Sequence, residues 1–381
     1  MKRVIYILGL CFMIIVIGAC ELVVDIDVPF EGKQLTINSF FSPDSIWSAT
    51  VSRNRFILDD DLFDRVSDAF VVVSDETGPV DTLEHTFNGH YRSNGKPLPG
   101  KMYTISAFHP SNGTALGHSQ VPPPTQIVDA GHENIMVENQ QRTNFNVTFL
   151  DDPAATNYYE VFVLVGSESI NPVTKELYKY FYPIHLETND PVLANSNIRS
   201  GERFLLKDVF YGGSEINLSF HTQWWIDHVA AIHIIVRSVT EEYYKYMTTT
   251  NLQGETSGNP FAQPVNVYGN IENGFGIFAG INNTSKIITS PSFEIVDVTP
   301  GQGRHGDEVT ITLNGITLLP PDQMYITAVF EASEFLAYTY VSERTANTVT
   351  FTIPNGAITG KLWLEINGRI QQWDQEFIVL P

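Results

Sequence analysis

Gln34-Leu35-Thr36-Ile37-Asn38 alternates polar and apolar residues with a period of two, and the same rhythm returns along the next seventy or so positions. It reappears in Ser48-Ala49-Thr50-Val51-Ser52, Ala69-Phe70-Val71-Val72-Val73, His90-Tyr91-Arg92-Ser93 and Met102-Tyr103-Thr104-Ile105-Ser106. Side chains on an extended strand point alternately to its two faces, so this period buries one face and leaves the other to solvent. Asp75-Glu76-Thr77-Gly78, Asn88-Gly89 and Leu98-Pro99-Gly100 separate the runs with residues that favour turns. Short strands divided in this way predict an antiparallel β-sandwich over residues 33–121.

Pro122-Pro123-Pro124 then stiffens the chain in an extended conformation, and a module boundary is expected there. Strands resume on either side of Asp151-Asp152-Pro153, at residues 145–149 and 158–165. Residues 166–202 have weak periodicity and read as a polar excursion carrying short strands. A clear strand follows at 229–237, and after it Ser238-Val239-Thr240-Glu241 has the form of a capping box. A short helix is therefore expected near 239–250, with Tyr243, Tyr244 and Met247 on its apolar side. Residues 122–290 thus form a second β-rich module. Beyond Ser290-Pro291, alternation at 294–298 and 307–313 and strands near 326–330, 348–353, 360–366 and 377–380 outline a third, small sandwich over 291–381.

Lys2 and Arg3 precede an uncharged apolar run at residues 4–19, long enough for an export signal and short for a membrane-spanning helix. Ile17-Gly18-Ala19-Cys20 resembles the lipobox of bacterial lipoproteins: an aliphatic residue, two small residues and a Cys. The resemblance implies a signal peptide at 1–19, lipidation of Cys20 and a lipidated tether at 20–32. The alternative is an ordinary cleaved signal with a chance Cys. The two cysteines are Cys11, inside the leader, and Cys20, so the folded part is expected to lack disulfides, thiolate metal sites and Cys nucleophiles. With 43 acidic against 22 basic side chains the formal charge is −21, a field that repels nucleic acid and anionic headgroups. Membrane contact must then be hydrophobic, through Cys20 and its acyl chains.

No catalytic motif, cofactor site or metal site emerges. Ser93-Asn94-Gly95-Lys96 fits Ser-x-x-Lys, but the companion elements of that chemistry are absent and the residues fall in a turn. Asp151, Asp152 and Glu160 would suit a glycosidase pair if they converged; in a chain with 43 carboxylates such clustering also arises without function. Asp59-Asp60-Asp61 with Asp64 and Asp68 supplies oxygen ligands without the spacing of a calcium loop. His228 and His233, five apart on an expected strand, point to opposite faces and read as structural. Trp224 and Trp225, with Tyr178, Tyr180, Phe181 and Tyr182, would stack on sugars or seat on a partner barrel if exposed, and would be plain core if buried. Gly274, Gly276 and Gly280 lack a helix start or a neighbouring Lys and read as backbone crowding in a buried strand rather than as a phosphate cradle. The Pro-bracketed loop Asn259-Pro260-Phe261-Ala262-Gln263-Pro264 is the first candidate partner surface, joined by Trp224 and Trp225. Asp44-Ser45-Ile46 and Asp81-Thr82-Leu83 resemble short O-glycosylation sites.

Two larger resemblances follow from these pieces. Residues 295–303, Gly306-Asp307-Glu308-Val309-Thr310-Ile311-Thr312 and Val349-Thr350-Phe351-Thr352-Ile353-Pro354-Asn355-Gly356 resemble the immunoglobulin-like IPT/TIG domain, a spacer and binding module. Lys33-Gln34-Leu35-Thr36-Ile37-Asn38, Leu98-Pro99-Gly100-Lys101-Met102-Tyr103, Thr148-Phe149-Leu150-Asp151-Asp152-Pro153 and the stretch from Asn259 to Gly280 resemble a Bacteroidota lipoprotein family of unknown function, often encoded beside TonB-dependent receptors. The fold class so expected is mainly β: tandem β-sandwiches of transthyretin or immunoglobulin type with one or a few short helices. The resemblance implies an outer-membrane lipoprotein displayed at the cell surface and working as accessory or binding subunit of a TonB-dependent receptor-type barrel, with a glycan or peptide as ligand. A lipid-anchored glycan hydrolase and a stalk or adhesin are the alternatives.

Overall fold

The computed structural model describes residues 32–55, 64–137, 139–194, 197–198, 201–226, 229–259, 261–321 and 324–381. Cys20, most of the tether, Asp59 to Asp61, His228 and Pro260 lie outside the described residues. The chain is mostly β, arranged in successive sandwiches, and the described residues include two α-helices, Pro191–Ala194 and Glu241–Thr256.

In the first sandwich, Leu35–Phe41 pairs with Ser48–Arg53, which pairs with His90–Arg92. Phe70–Asp75, Met102–His109 and Gly113–Gln120 make the facing sheet. Gly78–Phe87 joins the two by pairing with Phe70–Asp75 as far as Leu83 and with His90–Arg92 from Glu84 onward. Alternation did not predict this strand, because Leu83 is its one buried side chain. Asn88 and Gly89 both have positive φ, 48° and 73°, as the tight turn of a two-residue hairpin demands. Inside lie Leu35, Ile37, Trp47, Tyr91, Tyr103 and Phe278, with the Phe41 and Phe278 rings stacked at 4.3 Å.

In the second sandwich a sheet of Arg203–Lys207, Tyr158–Ile170 and Ala231–Val239 faces one of Ile127–Val137, Gln140–Leu150 and Glu215–His221. Leu177–Pro183 forms a hairpin with the far half of Tyr158–Ile170, so much of the expected polar excursion is paired strand.

The first and second modules are not independent. Phe275–Thr289 runs parallel to Leu35–Phe41 over residues 275–280, then antiparallel to Ala231–Val239 over residues 281–289. One strand therefore completes the first sandwich with its leading half and the second with its trailing half. The expected boundary at residue 122 is spanned by this strand, and the Pro-rich segment is sealed against it. Asn282 donates from Nδ2 to the Pro122 carbonyl at 2.9 Å, and Thr284 from Oγ1 to the Thr125 carbonyl at 2.8 Å. The glycines are crowded, as expected. A Cβ on Gly276, whose φ is +105°, would strike the Ile37 carbonyl, and one on Gly280 would strike the Gln120 carbonyl.

The helix Glu241–Thr256 begins two residues later than the capping-box reading. Ser238 is still in a strand, and Thr240 is the N-cap, its side chain accepting from the Tyr243 amide at 3.4 Å. Glu241 and Glu242 instead occupy the first turn, where the helix dipole favours negative charge. Tyr243 and Met247 are buried against Ile198, Leu205, Val239, Ile277 and Ala279. Phe40 of the first sandwich meets Tyr243 and Tyr246 edge-on, at 5.1 and 5.8 Å, so the helix also bridges the modules.

The third sandwich carries Glu294–Thr299, Glu308–Asn314 and Thr348–Thr352 in one sheet and Ile326–Ala332, Ala357–Ile366 and Arg369–Gln372 in the other, linked by Leu336–Arg344. It docks on the hairpin of the second. Ile170 packs with Val329, Trp363 and Ile370, the Ile370 amide donates to Glu168 Oε2 at 2.7 Å, and Arg369 donates to the Ser290 carbonyl at 2.6 Å.

Because the added methyl at residue 280 would meet backbone rather than a side chain that can swing away, Gly280→Ala is expected to lower unfolding free energy by about 3 kcal/mol. Gly131→Ala, with nothing within 4 Å of its Cβ, is expected to stay within about 0.5 kcal/mol of wild type. Urea denaturation of both variants is the measurement.

Candidate ligand-binding surface

Two concave regions and one exposed strand collect the residues singled out from the sequence. A cleft of about 1080 Å³ opens between the first and second modules, walled by Pro122 to Pro124 on one side and by Asp151, Asp152, Tyr158, Tyr159, Glu241 and Glu242 on the other. Asp151 accepts from the Tyr159 hydroxyl at 2.8 Å and from Asn157 Nδ2 at 3.1 Å. Burial pushes its carboxyl above the usual range, against those hydrogen bonds. Tyr158 is pushed up to about 12 by burial and by its bond to Glu241.

Glu160 does not face this cleft group. Adjacent residues on a strand point to opposite faces, and Glu160 turns away from Tyr159 beneath the helix, where it has no solvent exposure. Arg203 and Arg237 each donate to its Oε2, at 3.0 and 2.7 Å, and Tyr243 donates to its Oε1 at 3.0 Å. Both guanidinium groups lie over the Phe162 ring, at 4.1 and 5.1 Å. Glu160 is thus the centre of an ion cluster joining three strands and the helix. The arrangement sets it apart from Asp151 and Asp152.

A smaller recess of about 320 Å³ is walled by Tyr182, Trp224, Trp225, Ile226 and Val229, with His185 and Gln223 at its edge. Trp224 is 67 % exposed and Trp225 half-buried. Their loop is pinned from below. Thr143 donates its amide to Thr222 Oγ1 at 3.0 Å, and the Ile226 amide donates to Thr143 Oγ1 at 2.9 Å. At the edge, Glu187 accepts from Gln223 at 2.9 Å and from Arg142 at 3.0 Å, bonds that hold its carboxyl below the usual range.

From the recess a row of tyrosines runs along Leu177–Pro183, a strand exposed at every residue. Tyr178, Tyr180 and Tyr182 are 48, 43 and 42 % exposed, with successive ring centroids 6.0 Å apart. Phe181, on the opposite face, packs on His233 at 4.6 Å, and burial lowers the pKa of that imidazole. The i, i+2 spacing of these tyrosines is visible in the sequence. Their exposure is not, since the same spacing fits a buried face equally well.

The other expected sites lie elsewhere. Asn259, Phe261 and Pro264 form an exposed turn after the helix; Phe261 is 94 % exposed, its amide held by Asn259 Oδ1 at 3.0 Å. This turn does not line the recess of Trp224 and Trp225. Ser93 donates to Asp81 Oδ2 at 2.6 Å while Lys96 reaches the Asp44 carbonyl at 3.4 Å, so hydroxyl and amine diverge. Asp64 is paired with Lys33 and Arg53, and Asp68 lies 3.3 Å from His109. Ser45 and Thr82 are both exposed.

Glu160→Gln removes the counter-charge of two largely buried guanidinium groups and is expected to cost about 3–5 kcal/mol of stability. Asp151→Asn is expected to behave oppositely. A carboxyl raised above its unfolded value supplies stability at acid pH that is lost as pH rises through its folded value. The variant should therefore gain on wild type as pH increases from acid to neutral. Denaturant midpoints across that interval check both.

No curated protein sequence matches this chain. Among solved structures, a three-domain segment of titin in an E-to-A mutated variant aligns with 92 % of this chain and 98 % of its own, at 9 % identity and a TM-score of 0.18. Salmonella alpha-2-macroglobulin reacted with methylamine aligns with 93 % of this chain and 24 % of its own, at 11 % identity and a TM-score of 0.24. An Escherichia coli alpha-2-macroglobulin fragment spanning domains MG0-NIE-MG1 aligns with 90 % of this chain and 97 % of its own, at 12 % identity and a TM-score of 0.19. Residues 21–287, most of the chain and nearly all of its first two modules, match the model of a domain of unknown function, DUF4249, and the protein belongs to that family.

Proposed function

We propose that the protein is a non-catalytic, lipid-anchored binding subunit, held at the outer membrane by Cys20 and presenting its aromatic recess and tyrosine row to a ligand for a partner β-barrel of the TonB-dependent receptor type. The observation that carries this reading is the exposed aromatic surface on a scaffold whose modules are welded by one strand and one helix. Binding residues on a stiff support keep their geometry without an entropic cost on each encounter. The leader ending in Ile17-Gly18-Ala19-Cys20 and the resemblance to lipoproteins encoded beside such receptors support the membrane and barrel parts. Among the described residues no helix is long and apolar enough to cross a membrane. The strong negative charge favours attachment through acyl chains over attraction to anionic lipid.

Cys20→Ser is expected to move the protein from the membrane pellet to the soluble fraction, as read by immunoblot of fractionated cells. Mild-detergent purification of the tagged wild-type chain from native membranes is expected to recover an outer-membrane barrel. Recovery of no barrel protein would count decisively against the accessory-subunit reading.

A further inference from the structure

The row Tyr178, Tyr180, Tyr182 lies outside the buried core of the second sandwich. Along Tyr158–Ile170 the buried core of the second sandwich takes Val161, Val163 and Val165 and stops there. Residues 167 and 169, which pair with Tyr180 and Tyr178, lie beyond it. The strand nonetheless continues to Ile170, and the third sandwich fixes its far end through Ile170 and Glu168. The tyrosine face is left open and rigid, and it ends at the Trp224 recess. Large aromatic groups that stay partly exposed outside the core yet are held in register have the character of a binding platform.

Charge narrows the ligand. In a chain of formal charge −21, three of the ionic groups beside the row are already engaged. Lys179 is bound to Glu168 at 3.0 Å, Lys175 reaches the Ala332 carbonyl at 3.2 Å, and Glu187 is matched by Arg142. An anionic polymer would be repelled by the molecule as a whole, and Glu187, the carboxylate beside the recess, is already engaged by Arg142 and Gln223. A repeated aromatic face at constant spacing suits a polymer of repeated flat units. The recess adds what a hydroxylated ring needs, apolar walls from Trp224 and Trp225 with His185 and the fixed Gln223 amide at the edge.

We propose that this surface binds a neutral polysaccharide, one sugar ring seated in the Trp224 recess and successive rings lying along Tyr182, Tyr180 and Tyr178. The inference rests on reading the protein as a binding subunit and names the class of its ligand. The apolar C–H faces of pyranose rings meet the aromatic faces, while their hydroxyls reach Gln223, His185 and solvent. No bond is made or broken.

The test is affinity electrophoresis and tryptophan fluorescence of the full chain in detergent, with soluble xylan, glucomannan and dextran as probes and polygalacturonate as the anionic control. Retardation by at least one neutral probe is expected, without retardation by polygalacturonate. Trp224→Ala and Tyr180→Ala should each weaken that binding about tenfold with unchanged thermal midpoints, since both side chains are exposed. Phe261→Ala, at a residue that does not line the recess, should bind as wild type. The proposal is overturned if no neutral probe retards the chain, if the Trp224 and Tyr180 variants bind as tightly as wild type, or if an extended peptide adds along 177–183 in place of any sugar. A barrel recovered from membranes without polysaccharide binding overturns this inference alone. Polysaccharide binding without a barrel overturns the accessory-subunit reading and leaves the sugar site standing.

Discussion

The strand Phe275–Thr289 is the constraint on which the first two modules depend. Its leading half pairs with the first strand of the first sandwich, and its trailing half pairs with the central strand of the second. The passage between them is tight enough that Gly276 and Gly280 face carbonyls where any side chain would collide. Asn270 supports the entry by accepting from the Phe278 amide at 2.8 Å and donating to the Phe278 carbonyl at 2.7 Å. Pairing across some 240 residues carries a substantial loop-closure cost, which the burial of Phe278, Ile277 and Ala279 offsets. The consequence is mechanical: the two sandwiches share backbone and cannot hinge freely at the Pro-rich segment.

The second tie is the helix Glu241–Thr256, and its chemistry explains why Glu160 is buried. Tyr243 brings a hydroxyl under the helix, and Arg203 and Arg237 bring two charges from neighbouring strands. One carboxylate satisfies all three. Such a cluster contributes little net energy compared with a well-packed apolar core, but removing its centre leaves two charges uncompensated. It also withdraws Glu160 from the cleft that holds Asp151 and Asp152. Residues that look like a group of carboxylates in the sequence are thus separated by the alternation of a single strand.

Legibility followed burial. Leu35–Phe41, Met102–His109 and Glu308–Asn314 alternate because each has one buried and one wet face, and period two revealed them. Gly78–Phe87 and Ile127–Val137 are exposed over most of their length, so they carry no such pattern and emerged only from pairing. The helix was legible, but its start was not. Ser238 and Thr240 are both competent caps, and the choice fell to Thr240 because Ser238 pairs with Asn282 of the shared strand. Of the candidate surface, the aromatic residues were identifiable by type and spacing. Whether Trp224 and the tyrosines stood outside or inside depended on where the core of the second sandwich ended.

By itself, the sequence determined the β class, the alternating strands with one buried face, the acidity of the chain and its two cysteines, both within the first twenty residues. These depend on local periodicity and on composition, which act within a few residues or over the whole chain at once. Tertiary structure alone decided that two modules share a strand, that Glu160 leaves its carboxylate neighbours, and that a row of tyrosines remains uncovered. Each of these is a relation between residues far apart in sequence. Partner strands, the ends of a hydrophobic core and the face that a neighbouring domain covers exist only once the chain has folded, and local pattern carries no record of them.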